Sequence, residues 1–153
     1  MIRKATISDA RPIHALLQDF AKEGELLGRP LSELYDHIRD FSVCEDEKTG
    51  EIAACCGLHV CWEDLAEIRS LAVRRDRWNQ GIGSRLMLFS LSEAKALGIT
   101  RLFALTYRPW FFEKHGFTVK DKKNLPQKIW SDCVKCVKFP DCDEIAVMRL
   151  LEP

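Results

Sequence analysis

Gln80-Gly81-Ile82-Gly83-Ser84 carries the clearest chemistry in the chain: two glycines one residue apart, after an apolar run and ahead of a helical pattern. Glycine puts no Cβ between a ligand and the backbone. The unpaired N–H groups of a helix start, together with its positive dipole end, suit a phosphate or pyrophosphate. The same spacing also makes a plain strand-to-helix turn, and the glycines alone do not separate the two. Two nucleotide signatures are excluded. No Gly-Lys-Ser/Thr follows, which removes a P-loop. The dinucleotide fingerprint lacks its third glycine, where Leu86 stands, and the next strand ends at Thr106 rather than on an acid. A second group is Cys133-x-x-Cys136-x5-Cys142, flanked by Asp141 and Asp143. Three such thiols with a fourth His, Asp or Cys ligand would hold zinc tetrahedrally. Free or redox-active thiols are the alternative. Cys55, Cys56 and Cys61 fall in a strand pattern and read as small buried residues.

The elements that must position these residues follow from periodicity. Residues 2–6 read as a strand, and Ser8-Asp9 offers an N-cap for a helix marked by Ile13, Leu16, Leu17 and Phe20. Residues 24–30 break it. Ser32 caps a second helix with Leu31, Leu34, Tyr35, Ile38 and Phe41 on its apolar side. Residues 42–47 and 51–61 form a hairpin around Lys48-Thr49-Gly50. Residues 65–73 make the next strand. The helix that opens on the glycines runs to Leu97, with Gly98 as its stop. Its apolar stripe is Ile82, Leu86, Met87, Phe89, Leu91, Ala94 and Leu97, with Arg85, Ser92 and Lys95 outward. Residues 102–105 form a strand buried on both faces. A short helix from Pro109 to His115, a strand after Gly116-Phe117, an irregular cysteine-bearing segment at 121–143 and a strand at 145–150 complete the chain. This order describes a mixed sheet with helices on both faces. Such sheets bind ligands where neighbouring strands part, here between strands 65–73 and 102–106 beneath the glycine turn.

At 153 residues the chain reads as a single domain with a real core. Lys plus Arg total 23 and Asp plus Glu total 23, so the surface as a whole offers nucleic acid little. No apolar run is long enough to span a bilayer. Met-Ile-Arg-Lys-Ala-Thr enters a strand directly and has no signal-peptide core, and seven cysteines without a secretion signal imply a reducing cytoplasm.

Glu67-Ile-Arg-Ser-Leu-Ala-Val73, Gln80-Gly-Ile-Gly83 and Trp110-Phe-Phe-Glu-Lys-His-Gly-Phe117, in this order and spacing, resemble the GNAT superfamily of acetyl-CoA-dependent N-acetyltransferases. The likeness spans nearly the whole chain. Within the superfamily, Gly28-Arg-Pro-Leu-Ser-Glu-Leu-Tyr35, the Trp-Phe pair and Asn124-Leu-Pro126 resemble the short stand-alone N-acetylglutamate synthase group. The resemblance implies an α/β fold with a mostly antiparallel sheet and a splayed central strand pair over residues 1–153. It also implies acetyl-CoA as co-substrate, arginine biosynthesis as context and a homodimer as the oligomer to test. Carried over position by position, the amides of Gln80, Gly81, Ile82, Gly83 and Ser84 would hold the pyrophosphate. Leu71, Ala72 and Val73 would pair with the pantetheine arm. Two departures stand out: Trp78 replaces the usual Arg or Gln, and Phe112 replaces the usual proton-donating Tyr.

Acetyl transfer to an amine needs a base, an oxyanion stabiliser and an acid for the departing thiolate. Glu67 is the candidate base, directly or through water; a solvated strand-end carboxylate is the plain alternative. A backbone N–H near Leu71 or Ala72 would meet the oxyanion. Tyr107 is the candidate acid, or else an amphipathic rim residue. If the acceptor is glutamate, its two carboxylates call for arginine forks. Arg29 matches an arginine that the synthase group uses on its amino acid, and Arg69 and Arg108 are further candidates. The group's C-terminal Arg-x-Ser-Lys is replaced by Glu144–Arg149, and His59 stands where the group often has Lys. Other small amines, a peptide N-terminus, or acyl-CoA binding without turnover remain the alternatives to glutamate.

Overall fold

A computed structural model of the protein describes residues 1–24, 26, 28–125 and 143–152. The order is β1 (Ile2–Lys4), α1 (Ala10–Lys22), α2 (Leu31–Asp36), β2 (Phe41–Glu45), β3 (Ile52–Trp62), β4 (Leu65–Val73), α3 (Ile82–Ala96), β5 (Arg101–Thr106), α4 (Pro109–Glu113), β6 (Thr118–Lys120) and β7 (Ile145–Leu150). The strands form a seven-stranded sheet ordered β1-β2-β3-β4-β5-β7-β6. β1–β2, β2–β3, β5–β7 and β6–β7 pair antiparallel. β4 and β5 pair in parallel, from Leu65 opposite Arg101 to Glu67 opposite Phe103. The mixed, mostly antiparallel α/β sheet expected from the sequence is the sheet observed. Among the described residues, no helix is long and apolar enough to cross a membrane.

Two compact units are distinguished: Met1–His59 with Ile68–Glu93, and Val60–Glu67 with Ala94–Pro153. In the first, Ile13, Leu16, Leu17 and Phe20 of α1 and Leu34 of α2 pack on Phe41, Val43, Cys55 and Ala72 of the sheet. Side chains alternate across a strand, so Cys55 and its neighbour Cys56 face opposite ways. Cys55 joins that core, whereas the Cys56 thiol accepts from Ser90 Oγ of α3 at 3.5 Å. One strand thereby carries helices on both faces.

Three local expectations are corrected. Pro30, not Ser32, precedes the first turn of α2: Ser32 lies inside the helix, and the Pro30 carbonyl accepts from the Leu34 N–H at 3.3 Å. Proline's preset φ suits that entry. Tyr35, placed on the apolar side, is exposed, because α2 ends at Asp36 and a 3-10 turn at Ile38–Asp40 redirects the chain. Leu97, placed in the α3 stripe, is 59% exposed; α3 has ended at Ala96, and Gly98 takes φ 86°. Asp9 precedes α1 but serves the preceding turn: its carboxylate accepts from the Thr6 N–H at 2.7 Å and from Arg3 Nη1 and Nη2 at 2.7 and 3.0 Å.

In the second unit Cys61, Leu65, Phe103, Leu125 and Ala146 form the core. β7 pairs with β5 along six residues, from Arg101 opposite Leu150 to Thr106 opposite Ile145. Phe112 of α4 is buried and meets Phe117 edge-on at 5.2 Å.

Candidate functional site

The glycine turn is built as an open cradle. Gly81 has φ 76° and Asn79 φ 66°, left-handed conformations that lift the chain from β4 into α3. The Gly81 carbonyl accepts from the Arg85 N–H at 3.0 Å, which makes Gly81 the residue from which α3 springs. Among the described residues, a Cβ built on Gly81 would meet nothing within 4 Å. The space over this backbone is therefore clear for an approaching group, and the first N–H groups of α3 open beside it.

Trp78 is the residue that fastens this turn to the strand. Its indole Nε1–H donates to the Val73 carbonyl at 2.7 Å, and its ring stacks on Phe20 of α1 with centroids 6.4 Å apart. The Arg75 guanidinium lies 4.8 Å from the Phe20 ring centre and 5.2 Å from that of Trp78, and it pairs with Glu23. A cation over two aromatic faces adds electrostatic attraction to their apolar contact. The departure at position 78 is thus accounted for by packing.

Ser70 is the unusual residue of β4. It is buried and has φ 55°, a conformation that a non-glycine residue adopts at a cost and that breaks the regular path of a strand. Its carbonyl accepts from the Cys55 thiol at 3.3 Å, and its hydroxyl accepts from Arg29 Nε at 3.0 Å. Arg29 also pairs with Glu33 Oε1 of α2 at 2.6 Å. Arg29 is therefore fixed directly on the strand that leads to Leu71, Ala72 and Val73. The Ala72 N–H is directed at the Cys55 sulfur; burial pushes the Cys55 thiol far above its usual range, with the Cys56 thiol adding to the effect, so this is a neutral, inert sulfur. Arg69 lays its side-chain stem over Gly57, where a Cβ would come within 3.5 Å of Arg69 Cγ and 3.1 Å of its carbonyl.

A further cluster in this unit joins His37, Asp40 and His59. Asp40 Oδ2 lies 2.8 Å from His59 Nδ1 and 3.6 Å from His37 Nδ1.

A model described as the acetyltransferase (GNAT) family matches residues 11–117. The chain belongs to the GNAT family of acetyltransferases. An uncharacterised N-acetyltransferase of Chlorobaculum tepidum is 37% identical over 150 residues, 98% of this chain and 96% of that protein. An amino-acid acetyltransferase of Mycobacterium tuberculosis is 37% identical over 119 residues, 77% of this chain and 68% of its own length. Among solved structures, N-acetylglutamate synthase from Neisseria gonorrhoeae, complexed with coenzyme A and N-acetyl-glutamate, superposes with TM-score 0.90 at 30% identity. That match takes in 100% of this chain but 35% of the synthase. A Mycobacterium tuberculosis protein solved with CoA superposes with TM-score 0.86 at 28% identity over 99% of both chains.

The remaining site candidates lie in the second unit or outside the described residues. Glu67 is half-buried at the last pair of the β4–β5 ladder. Tyr107 donates its hydroxyl proton to Asp143 Oδ1 at 2.6 Å. Arg108 is exposed, with its backbone N–H donating to Thr106 Oγ1 at 2.9 Å. Cys133, Cys136 and Cys142 fall outside the described residues. Sequence reasoning missed Ser70 and the partners of His59. A Ser in phase with the apolar Ile68 and Ala72 was the one available signal for the first, and nothing local pointed to the second.

Proposed function

We propose that this acetyltransferase moves acetyl from acetyl-CoA to the α-amine of L-glutamate. The observation that carries the reading is the Arg29–Ser70 bond: a guanidinium fork is held on the strand that would present the thioester. Nε and Nη1 serve Ser70 and Glu33, and a guanidinium has five donors, so the fork keeps capacity for a substrate carboxylate. The relatives named amino-acid acetyltransferase and the synthase solved with N-acetyl-glutamate support this choice.

In this reading the amides of Gln80 to Ser84 hold the pyrophosphate and Leu71 to Val73 align the pantetheine arm. A backbone N–H near Leu71 or Ala72 meets the tetrahedral oxyanion. The left-handed turn at Ser70 re-aims the backbone immediately before Leu71. Glu67 takes the amine's proton, directly or through water. Tyr107 protonates the thiolate, which requires its proton to leave Asp143. Arg69 and Arg108 are the further forks. The reading places the enzyme in the cytoplasm. It leaves a homodimer to sedimentation and a structural zinc at Cys133, Cys136 and Cys142 to elemental analysis.

Thiol release from acetyl-CoA, measured across a panel of amino acids and small amines, tests the proposal. Glutamate should give the highest kcat/KM. Preference for another amine would move the substrate assignment, and tight CoA binding without turnover on any amine would make the chain a regulatory module.

A further inference from the structure

Two imidazoles and one carboxylate converge in the first unit on residues far apart in sequence. His37 follows α2 as its C-cap, Asp40 closes the 3-10 turn that comes next, and His59 lies on β3. Backbone bonds set the first two: the His37 N–H donates to the Glu33 carbonyl at 3.0 Å and the Asp40 N–H to the His37 carbonyl at 2.9 Å. The β2–β3 register, Phe41 opposite Gly57, brings His59 alongside. One donor atom from each residue falls within 4.8 Å of the other two. The two rings meet edge to face at 85°, with centroids 5.3 Å apart, so they do not stack. Asp40 Oδ2 accepts a hydrogen bond from His59 Nδ1–H, but its 3.6 Å separation from His37 Nδ1 is too long for one. That spacing is close to the ligand-to-ligand edge of a tetrahedral zinc site, about 3.3 Å from ordinary zinc bond lengths.

We propose that His37, Asp40 and His59 bind a divalent transition metal, zinc in the first instance. Imidazole and carboxylate together suit zinc, and three protein ligands leave the fourth position to water or an incoming carboxylate. The three residues are half-buried, which leaves an entry path from solvent. A small closing of the cluster, within reach of side-chain rotation, replaces the Asp40–His59 hydrogen bond by two metal bonds. The site depends on neither acetyl-CoA nor the identity of the acceptor amine.

The test uses the full chain, freed of metal by chelator, with cobalt(II) as the spectroscopic probe and zinc(II) as competitor. The expected result is an intense tetrahedral cobalt d–d absorption that is displaced by zinc(II) and that, in the variant lacking Cys133, Cys136 and Cys142, saturates at a single metal with no thiolate charge-transfer band. His37→Gln, Asp40→Asn and His59→Gln should each weaken cobalt binding by more than about tenfold, since even outer-shell changes at metal sites reach that size. The Cys133→Ser/Cys136→Ser/Cys142→Ser triple variant should keep the band. Zinc(II) should also raise the melting temperature of the parent chain and not that of His37→Gln, a partly exposed position that the core does not need. A band that survives in His37→Gln, or that carries thiolate character and vanishes in the triple variant, overturns the site. So does a parent chain that takes up no cobalt.

Discussion

Arg29 Nε donates to Ser70 Oγ at 3.0 Å across 41 positions of sequence, joining the loop before α2 to the strand that leads into the glycine turn. Its other described bond, to Glu33, comes from the same short segment. Arg29→Ala should raise the KM for glutamate by about 30–150-fold, the equivalent of about 2–3 kcal/mol for a lost charge-assisted carboxylate contact. The Kd for acetyl-CoA should stay close to that of the parent. Steady-state kinetics beside calorimetry of CoA binding separate the two. An effect on acetyl-CoA alone would reassign Arg29 to the cofactor.

Ser70 has two separable properties, a hydroxyl that holds Arg29 and a φ of 55° that glycine tolerates and alanine does not. Ser70→Ala and Ser70→Gly both lose the anchor, so both should raise the KM for the amino acid. In stability they should differ: the glycine variant should exceed the alanine variant by about 1 kcal/mol, because it adopts the left-handed conformation freely. Urea denaturation of the two variants measures this difference directly. Equal stabilities would mean that the strand relaxes at position 70.

Gly81 and Gly24 form a matched pair, with φ 76° and 73° and open space around each built Cβ. An alanine at either position carries a comparable left-handed strain of about 1–2 kcal/mol. Only Gly81 lies where the pyrophosphate is proposed to approach. Gly81→Ala should therefore lower acetyl-CoA affinity sharply, and Gly24→Ala should not, at similar losses of thermal stability. Equal affinities in the two variants would remove the pyrophosphate from the turn.

The parts of this fold that could be read from sequence are those with a strong period and a clear stop. β4 and β7 were legible as apolar segments between turns, and α3 as a stripe between glycines; Leu97 was misplaced only because the helix had already ended. The glycine turn was legible as the turn that opens α3 because its residues are adjacent. Ser70 was not, since a single left-handed serine leaves no pattern in a strand. Trp78 looked like a departure because its stacking partner, Phe20, lies far away in sequence on α1. His37, Asp40 and His59 were invisible as a group because only the β2–β3 pairing brings them together.

Asp9 gives the fold a predictable acid sensitivity. Arg3 holds the buried Asp9 carboxyl below its ordinary value, aided by the Thr6 N–H and opposed by burial. A carboxylate whose folded pKa is lowered contributes stability that is present above the unfolded value and lost as pH falls through the folded one. The contribution of Asp9 should therefore be intact at neutral pH and fade below about pH 4. Asp9→Asn should cost about 2–3 kcal/mol at pH 7 and flatten the acid limb of the stability curve. Denaturation curves from pH 7 to 3 should show the two proteins converging. Parallel curves would mean that the Arg3 pair contributes no pH dependence.

Trp78 offers a way to separate the packing of the turn from its hydrogen bond. Trp78→Phe keeps an aromatic face for Phe20 and Arg75 but removes the Nε1–H that fixes the Val73 carbonyl. A neutral hydrogen bond of this kind contributes about 0.5–1.5 kcal/mol, so acetyl-CoA affinity should fall by about 2- to 12-fold if the bond holds strand and turn in register. Trp78→Ala also loses the stack and the cation contact, and its affinity should fall further. Because neither variant touches the proposed amine side, the KM for glutamate at saturating acetyl-CoA should change little in Trp78→Phe. Unaltered CoA affinity in both variants would show that the turn holds its shape without Trp78, and that Gly81 and the start of α3 are sufficient.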